Sequence, residues 1–192
     1  MNRGHRSRHP GLLAILDEAT PTAVQETTWS PSTRLRIASF VDDRELPDDL
    51  VVSVRCFVEV DTKVVVCRNA DGVFHAWPGG RRQQGETHAE TAAREVREET
   101  GWLIDPASLR RLGWLHLQHL RPQPLDHPYP HPDFLQVVYT ASARERVVGP
   151  DVSWTDSEGY ELASQLCTPR DAIPLVKDDP LCAVFLRELQ HG

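Results

Sequence analysis

No run in this sequence approaches the ~18 consecutive apolar residues of a membrane-spanning helix, so no membrane partner is expected. It has no C-x-x-C pair either: Cys56, Cys67, Cys167 and Cys182 are scattered. A zinc knuckle or thioredoxin-like site is therefore not indicated, and the thiols read as core fillers in a reduced, cytoplasmic setting. Basic residues form no stripe beyond the opening "MNRGHRSRH", and the net charge is −7. That excludes a broad grip on a nucleic-acid backbone, and no nucleic-acid polymer is expected as partner. The basic opening lacks the apolar stretch of a signal peptide and reads as a disordered end. No internal repeat is visible.

The 192 residues are 40% hydrophobic, enough for one well-buried core and short for two independent domains. In the first 48 residues, "GLLAILDEA" has a helical apolar pattern and "TRLRIASFV" alternates like a strand. The polar "DDRELPDD" separates this partly disordered N-terminal extension, 1–48, from a domain at 49–192. "LVVSVRCFVEV" and "KVVVCRN" read as β-branched strands joined by a turn at "DT", and "VFHAW" as a short strand stopped by Pro-Gly-Gly. Thr87 and Glu90 fit a capping box, and Gly101 fits the left-handed position after the last turn, which predicts a helix over 88–100. Further strands are expected in "LRRLGWLHLQHL", "FLQVVYTASA" and "SEGYELASQLCT", and helices in "PRDAIPLV" and "PLCAVFLRELQ". The order implies a mixed α/β or α+β fold.

On that helix Glu95, Glu98 and Glu99 fall at i, i+3 and i+4 and share one face, while Ala89, Ala93 and Val96 lie on a neighbouring face that can pack on a sheet. Three like charges on one face cost free energy unless a cation sits among them. Mg²⁺ or Mn²⁺, which favour oxygen ligands, would offset that cost. The competing reading is a solvated amphipathic helix with i,i+4 charge pairs, and "REVREE" alone would favour it. The wider spacing does not. Gly80 is followed by five residues, Glu86, seven residues, and then Arg94-Glu95-Val96-Arg97-Glu98-Glu99-Thr100-Gly101. This resembles the Nudix hydrolase signature G-x5-E-x7-R-E-U-x-E-E-x-G-U, with all seven Gly, Glu and Arg positions met. A chance match at one start site is on the order of 10⁻⁸ at roughly 7% usage per residue type. The final bulky position departs mildly, being Trp102 rather than an aliphatic residue.

The resemblance implies an α/β/α sandwich with a mixed β-sheet over about 50–190. It also implies a metal-dependent hydrolase that splits the diphosphate of a nucleoside diphosphate linked to another moiety. Its partner would be a small-molecule nucleotide. Carried over residue by residue, it makes Glu95, Glu98, Glu99 and the Gly79 carbonyl the metal ligands, with Glu95 as ligand or as base for the water. Arg94 and Glu86 match the pair that holds the glycine loop against the helix, with Gly80 and Gly101 as structural support. Members often recruit a distant carboxylate, for which Glu158 and Glu161 are the candidates, with Asp133 and Glu145 behind them. Patterns that mark NADH, coenzyme A, ADP-ribose and dinucleoside-polyphosphate subfamilies are not found, so the second moiety is open. A stiff proline-rich lid over His116–Asp133 is expected beside the site, with Tyr129 or Phe134 able to stack on a base. Trp29, Trp77, Trp114 and Trp154 read instead as core or interface packing. Family homodimers are common, and residues 11–46 could supply an interface. The alternative function is a non-catalytic nucleotide sensor, although such proteins usually have a degraded signature and this one is intact.

Overall fold

The computed structural model describes residues 8–122, 129–147 and 161–190, the side chains of 161–163 excepted. The chain opens with helix α1 (Pro10–Glu18), whose first turn is capped by the His9 ring, and strands β1 (Ala23–Ser30) and β2 (Thr33–Phe40). β3 (Val51–Val60) and β4 (Lys63–Asn69) follow, joined at Asp61, whose φ of 55° is the left-handed backbone of a tight turn. After the short β5 (Phe74–His75) come α2 (His88–Thr100), β6 (Trp102–Ile104), β7 (Arg110–His119) and β8 (Asp133–Arg146). β9 (Glu161–Cys167), α3 (Pro169–Ala172) and α4 (Pro180–Leu189) close the chain.

The strands form one sheet in the order β1-β2-β7-β8-β3-β4-β5, with β6 on β8 and β9 on β4. β3 and β8 run parallel and the other pairs are antiparallel, so the sheet is mixed. Alternation along the strands divides the apolar residues between two faces. One face joins Ile37, Phe57, Leu117 and Phe134 to α3 and α4. The other joins Val54, Val58, Trp114 and Val137 to α1 and α2. The architecture is the α/β/α sandwich with a mixed sheet that the signature implies. No helix of the described residues is long and apolar enough to cross a membrane.

The N-terminal extension is built into this frame. α1 buries Leu12 in the second core, and β2 pairs with β7 from Leu35↔His119 to Phe40↔Trp114. β1, which the sequence patterns left unassigned, continues the sheet at its edge. His116 and His119 are buried residues of β7, the strand expected in "LRRLGWLHLQHL", and Asp133 is the buried first residue of β8, so these three do not belong to the expected lid, of which residues 123–128 lie outside the described residues.

β3 and β4 pair at Glu59↔Val64 and Val60↔Lys63 and then separate; β5 pairs with β4 further along, at Cys67 and Arg68, and β9 covers the other edge of β4 from Val64 to Asn69. The freed edge of β3 is taken by the glycine loop. Val54 N–H donates to the Gly80 carbonyl at 3.0 Å and Cys56 N–H to the Pro78 carbonyl at 2.9 Å. Arg82 N–H returns to the Val52 carbonyl at 3.0 Å. A buried sheet edge needs partners for its backbone groups, and this loop supplies them without being a regular strand. Gly79 is obligatory there: its φ is 151°, and an added Cβ would lie 2.1 Å from the Val54 carbonyl oxygen.

Candidate active site

α2 is fixed at both ends. Glu90 N–H donates to Thr87 Oγ1 at 3.2 Å, and the Glu90 carboxylate accepts from Thr87 N–H at 2.8 Å, completing the capping box. Gly101 closes the helix with φ 72°, its N–H bonded to the Arg97 carbonyl. The face buried against the sheet is set by Ala92, Val96 and Thr100, at i, i+4 and i+8. Ala89 and Ala93, expected in that role beside Val96, are only half-buried. This rotation leaves Glu95, Glu98 and Glu99 half-buried along the flank toward the glycine loop.

That flank is organised by one guanidinium. Arg94 Nε and Nη2 donate to the two Glu86 oxygens at 2.7 and 2.9 Å, a fork-on-fork pair that ties the loop to the helix. Arg94 Nη1 donates to Glu95 at 2.7 Å and to Glu98 at 3.1 Å, and Nη2 reaches the Arg81 carbonyl at 3.0 Å. Glu86 also accepts from Gln83 N–H and Thr91 Oγ1. The Arg94 contact, more than any other, holds its carboxyl down at about 2. Glu95 shifts the other way. Burial raises its proton affinity, and the contact with Arg94 only partly opposes that. Its carboxylate lies flat on the Gly80 backbone, where a Cβ would meet both oxygens at 2.6 Å.

The third carboxylate faces elsewhere. Glu99 accepts from Gly79 N–H at 3.2 Å and forms part of the wall of a cavity of about 890 Å³. The floor of that cavity is apolar, from Ile37, Leu115 and Leu117 on the sheet face opposite α2, and Trp77 and Leu181 extend it. Arg55 brings a positive charge to the same end, donating to the Gly79 carbonyl at 2.7 Å. In the sequence Arg55 is marked only as a lone cation inside the apolar strand "VVSVRCFVEV", which does not single it out as a site residue.

The donor chemistry suits a hard divalent cation: three carboxylates and a backbone carbonyl, with more negative charge than Arg94 neutralises. In this arrangement, however, the ligand set implied by the signature does not converge. Among the described residues no group of three or more His, Cys, Asp or Glu side chains is gathered closely enough to hold a metal. Arg94 draws Glu95 and Glu98 to itself, and Glu99 turns to Gly79.

The remaining candidates are dispersed. Asp133 accepts from Arg8 Nε and Nη2, both at 2.8 Å, and lies 2.7 Å from His116 Nε2. An odd number of residues from the cavity-lining Gln136 on the same strand, it points to the other face, so it is not a second base for this cavity. Glu145 is exposed near the end of β8, opposite Leu103. Glu158, the side chain of Glu161, and Trp154 lie outside the described residues. Phe134 is fully buried, and Tyr129 stacks on it at 4.8 Å, so Phe134 backs an aromatic cluster and offers no surface to a ligand. Trp77 and Trp114 are core residues as expected, whereas Trp29 is 47% exposed and lines the cavity.

The family model for the NUDIX domain matches residues 49–188. No curated protein matches the chain. Among solved structures, the chain is similar to the Bacillus subtilis pyrophosphohydrolase BsRppH, with 18% identity and a TM-score of 0.59 over 82% of this chain and 91% of that one. It is similar also to a NUDIX hydrolase from Nitrosomonas europaea, with 19% identity and a TM-score of 0.53 over 73% and 88% of the two chains. At these identities the likeness is one of fold.

Proposed function

The chain belongs to the Nudix hydrolase family, and from that premise we propose that it is a divalent-metal-dependent enzyme that cleaves the diphosphate of a nucleoside diphosphate joined to a second moiety, such as a nucleotide or a sugar. One observation carries this reading. Three carboxylates from a single helix flank a glycine loop whose backbone must be bare, and one of them opens into a cavity large enough for a nucleotide.

Glu95, Glu98, Glu99 and the Gly79 carbonyl would hold Mg²⁺ or Mn²⁺, which would offset the charge of the diphosphate and acidify a water for attack on phosphorus. Arg94 and Glu86 set the flank on which these ligands stand. Arg55, at the cavity end beside Gly79, presents a guanidinium to the anionic substrate. Glu95 takes the place of ligand or of base for the water, and Glu158 or Glu161 that of the distal assisting carboxylate. The substrate is a small molecule. The free thiols, three of the four buried, agree with a reducing compartment, the cytoplasm.

The test is a panel of nucleotide substrates, run with Mg²⁺ or Mn²⁺ and an added phosphatase that frees phosphate from the monoester products for detection, and repeated with Glu99→Gln. Turnover should fall at least about a hundredfold in the variant, because one charge is lost from the set that holds the ion while volume is kept. Glu90→Gln, on the same helix but facing the cap, should turn over at the wild-type rate. A sensor would bind nucleotide without consuming it in all three proteins. Equal turnover by wild type and Glu99→Gln would remove the catalysis from this helix.

A further inference from the structure

We infer that Gln25, Thr27 and Trp29, on the N-terminal strand β1, form the wall that receives the planar base of the nucleotide, so that a hairpin outside the family-matched residues selects what this site hydrolyses. This rests on the diphosphate reading of the site, which it deepens.

Strand alternation places residues 25 and 27 on one face of β1, Trp29 falls at the irregularity between the Thr28↔Arg34 and Ser30↔Thr33 pairs, and all three line the cavity that reaches Gly79 and Glu99. Val24, on the other face, is exposed and is not part of the lining. Trp29 is held rather than loose. Its indole meets Tyr129 edge-on at 6.3 Å and 69°, and Phe134 at 6.1 Å and 62°. Those two rings are themselves stacked, and Arg81 caps Tyr129, with its guanidinium 4.8 Å from the ring and an Nη2 bond of 3.1 Å to the hydroxyl. An aromatic surface fixed in advance loses little freedom on binding a second ring.

The chemistry around it fits a base better than a sugar or a lipid chain. Ile37, Leu115 and Leu117 give an apolar floor, and two amides, Gln25 and Gln136, with the Thr27 hydroxyl give donors and acceptors. A heteroaromatic base needs both a flat apolar contact and a two-way hydrogen-bonding edge. Arg55, Gly79 and Glu99 line the same cavity, and β2, β7 and β8 lie between β1 and the Arg55 strand β3, so base and diphosphate would be held on different strands of one trough.

The experiment measures binding of three probes to the full chain with Mg²⁺ by calorimetry: methylenediphosphonate, α,β-methylene-ADP or its uridine counterpart, and the free nucleosides. The phosphonates resist hydrolysis, so affinity is read apart from turnover. Wild type should bind a base-bearing phosphonate at least about tenfold tighter than methylenediphosphonate, the order expected of one base stacked on an aromatic ring. Trp29→Ala should erase most of that margin and leave methylenediphosphonate affinity unchanged. Trp29→Phe should keep most of it, and Val24→Ala all of it. If Trp29→Ala fails to fold, Gln25→Ala reads the same margin and should narrow it. No margin in wild type, a margin untouched by Trp29→Ala (by Gln25→Ala if that variant is needed), or equal weakening of both phosphonates overturns the inference. Nucleoside binding that depends on Trp29 without any methylenediphosphonate binding would sink the diphosphate reading and keep this one. Phosphonate binding without a base margin would do the reverse.

Discussion

Among the described residues, the arginine–carboxylate clusters around Asp133 and around Arg94 differ in balance. At Asp133 one carboxylate meets Arg8 and His116 and is sealed between them. At Arg94 one guanidinium is divided among Glu86, Glu95 and Glu98. The first cluster has as many donors as it can use; the second has carboxylate oxygens to spare, beside a loop of bare backbone. Buried charge that is matched serves the fold. Buried charge left in excess asks for a cation from outside.

The largest break in that contrast is Arg94→Ala. It strips the guanidinium that Glu86, Glu95 and Glu98 share, so chemical denaturation should show a loss of about 2–3 kcal/mol, below the full-burial range because the flank is partly wet. Turnover should fall at least about a hundredfold as the ligands lose their common support. Millimolar Mg²⁺ should raise the melting temperature of the variant more than that of wild type, since the ion then meets an uncompensated cluster. An equal shift in the two proteins would mean that Arg94 and the ion do not share these carboxylates.

Asp133→Asn probes the balanced cluster. Burial alone would raise the Asp133 carboxyl, but the hydrogen bonds from His116 and Arg8 prevail and hold it down at about 2 from 3.8. A folded-state value below the unfolded one stabilises the protein above about pH 4, and that stability is lost as pH falls toward 2. The contribution at neutral pH is roughly 2 kcal/mol. Asp133→Asn should lose it and flatten the denaturation curve between pH 4 and 2, with turnover within about twofold of wild type. A large fall in turnover at unchanged stability would move Asp133 into the catalytic machinery.

Thr87→Ala is the smallest change. It removes the cap of the helix that carries the unbalanced cluster, and the hydroxyl bond to the Glu90 carboxylate with it, but leaves Glu86, Glu95 and Glu98 their partner, and about 1 kcal/mol of stability should go with it. KM and kcat should both stay near wild type if the helix, once formed, keeps its place.

The contrast between the clusters also marks what could be read beforehand. The seven positions of the signature are local, spaced by a helix and one loop, so the pairing of Glu86 with Arg94 and the flank of Glu95, Glu98 and Glu99 were legible. The cap residues Thr87 and Gly101 were legible for the same reason: a helix end is decided within a few residues. Asp133, Arg8 and His116 are brought together across the fold, and the strand patterns on either side of the proline-rich stretch do not say which residues will face one another. Ala92 was missed as the packing residue because the wheel has a neighbouring alanine stripe, and only the sheet decides which stripe is covered. Arg55 and Trp29 owe their places to the separation of β3 from β4 and to the pairing of β2 with β7. Both are matters of register between distant segments. Residue types alone do not specify them.

The closed ends of α2 make it a ruler. Thirteen residues lie between the Thr87 cap and Gly101, and each advances about 1.5 Å and turns about 100°. With both ends fixed, the length of the segment is part of its chemistry. One residue added before Glu95 would carry every later side chain about a quarter-turn around the axis and swing the carboxylates off the flank beside Gly80, even though every residue type was kept. A substitution along this helix changes one contact, whereas an insertion or deletion re-aims every side chain beyond it.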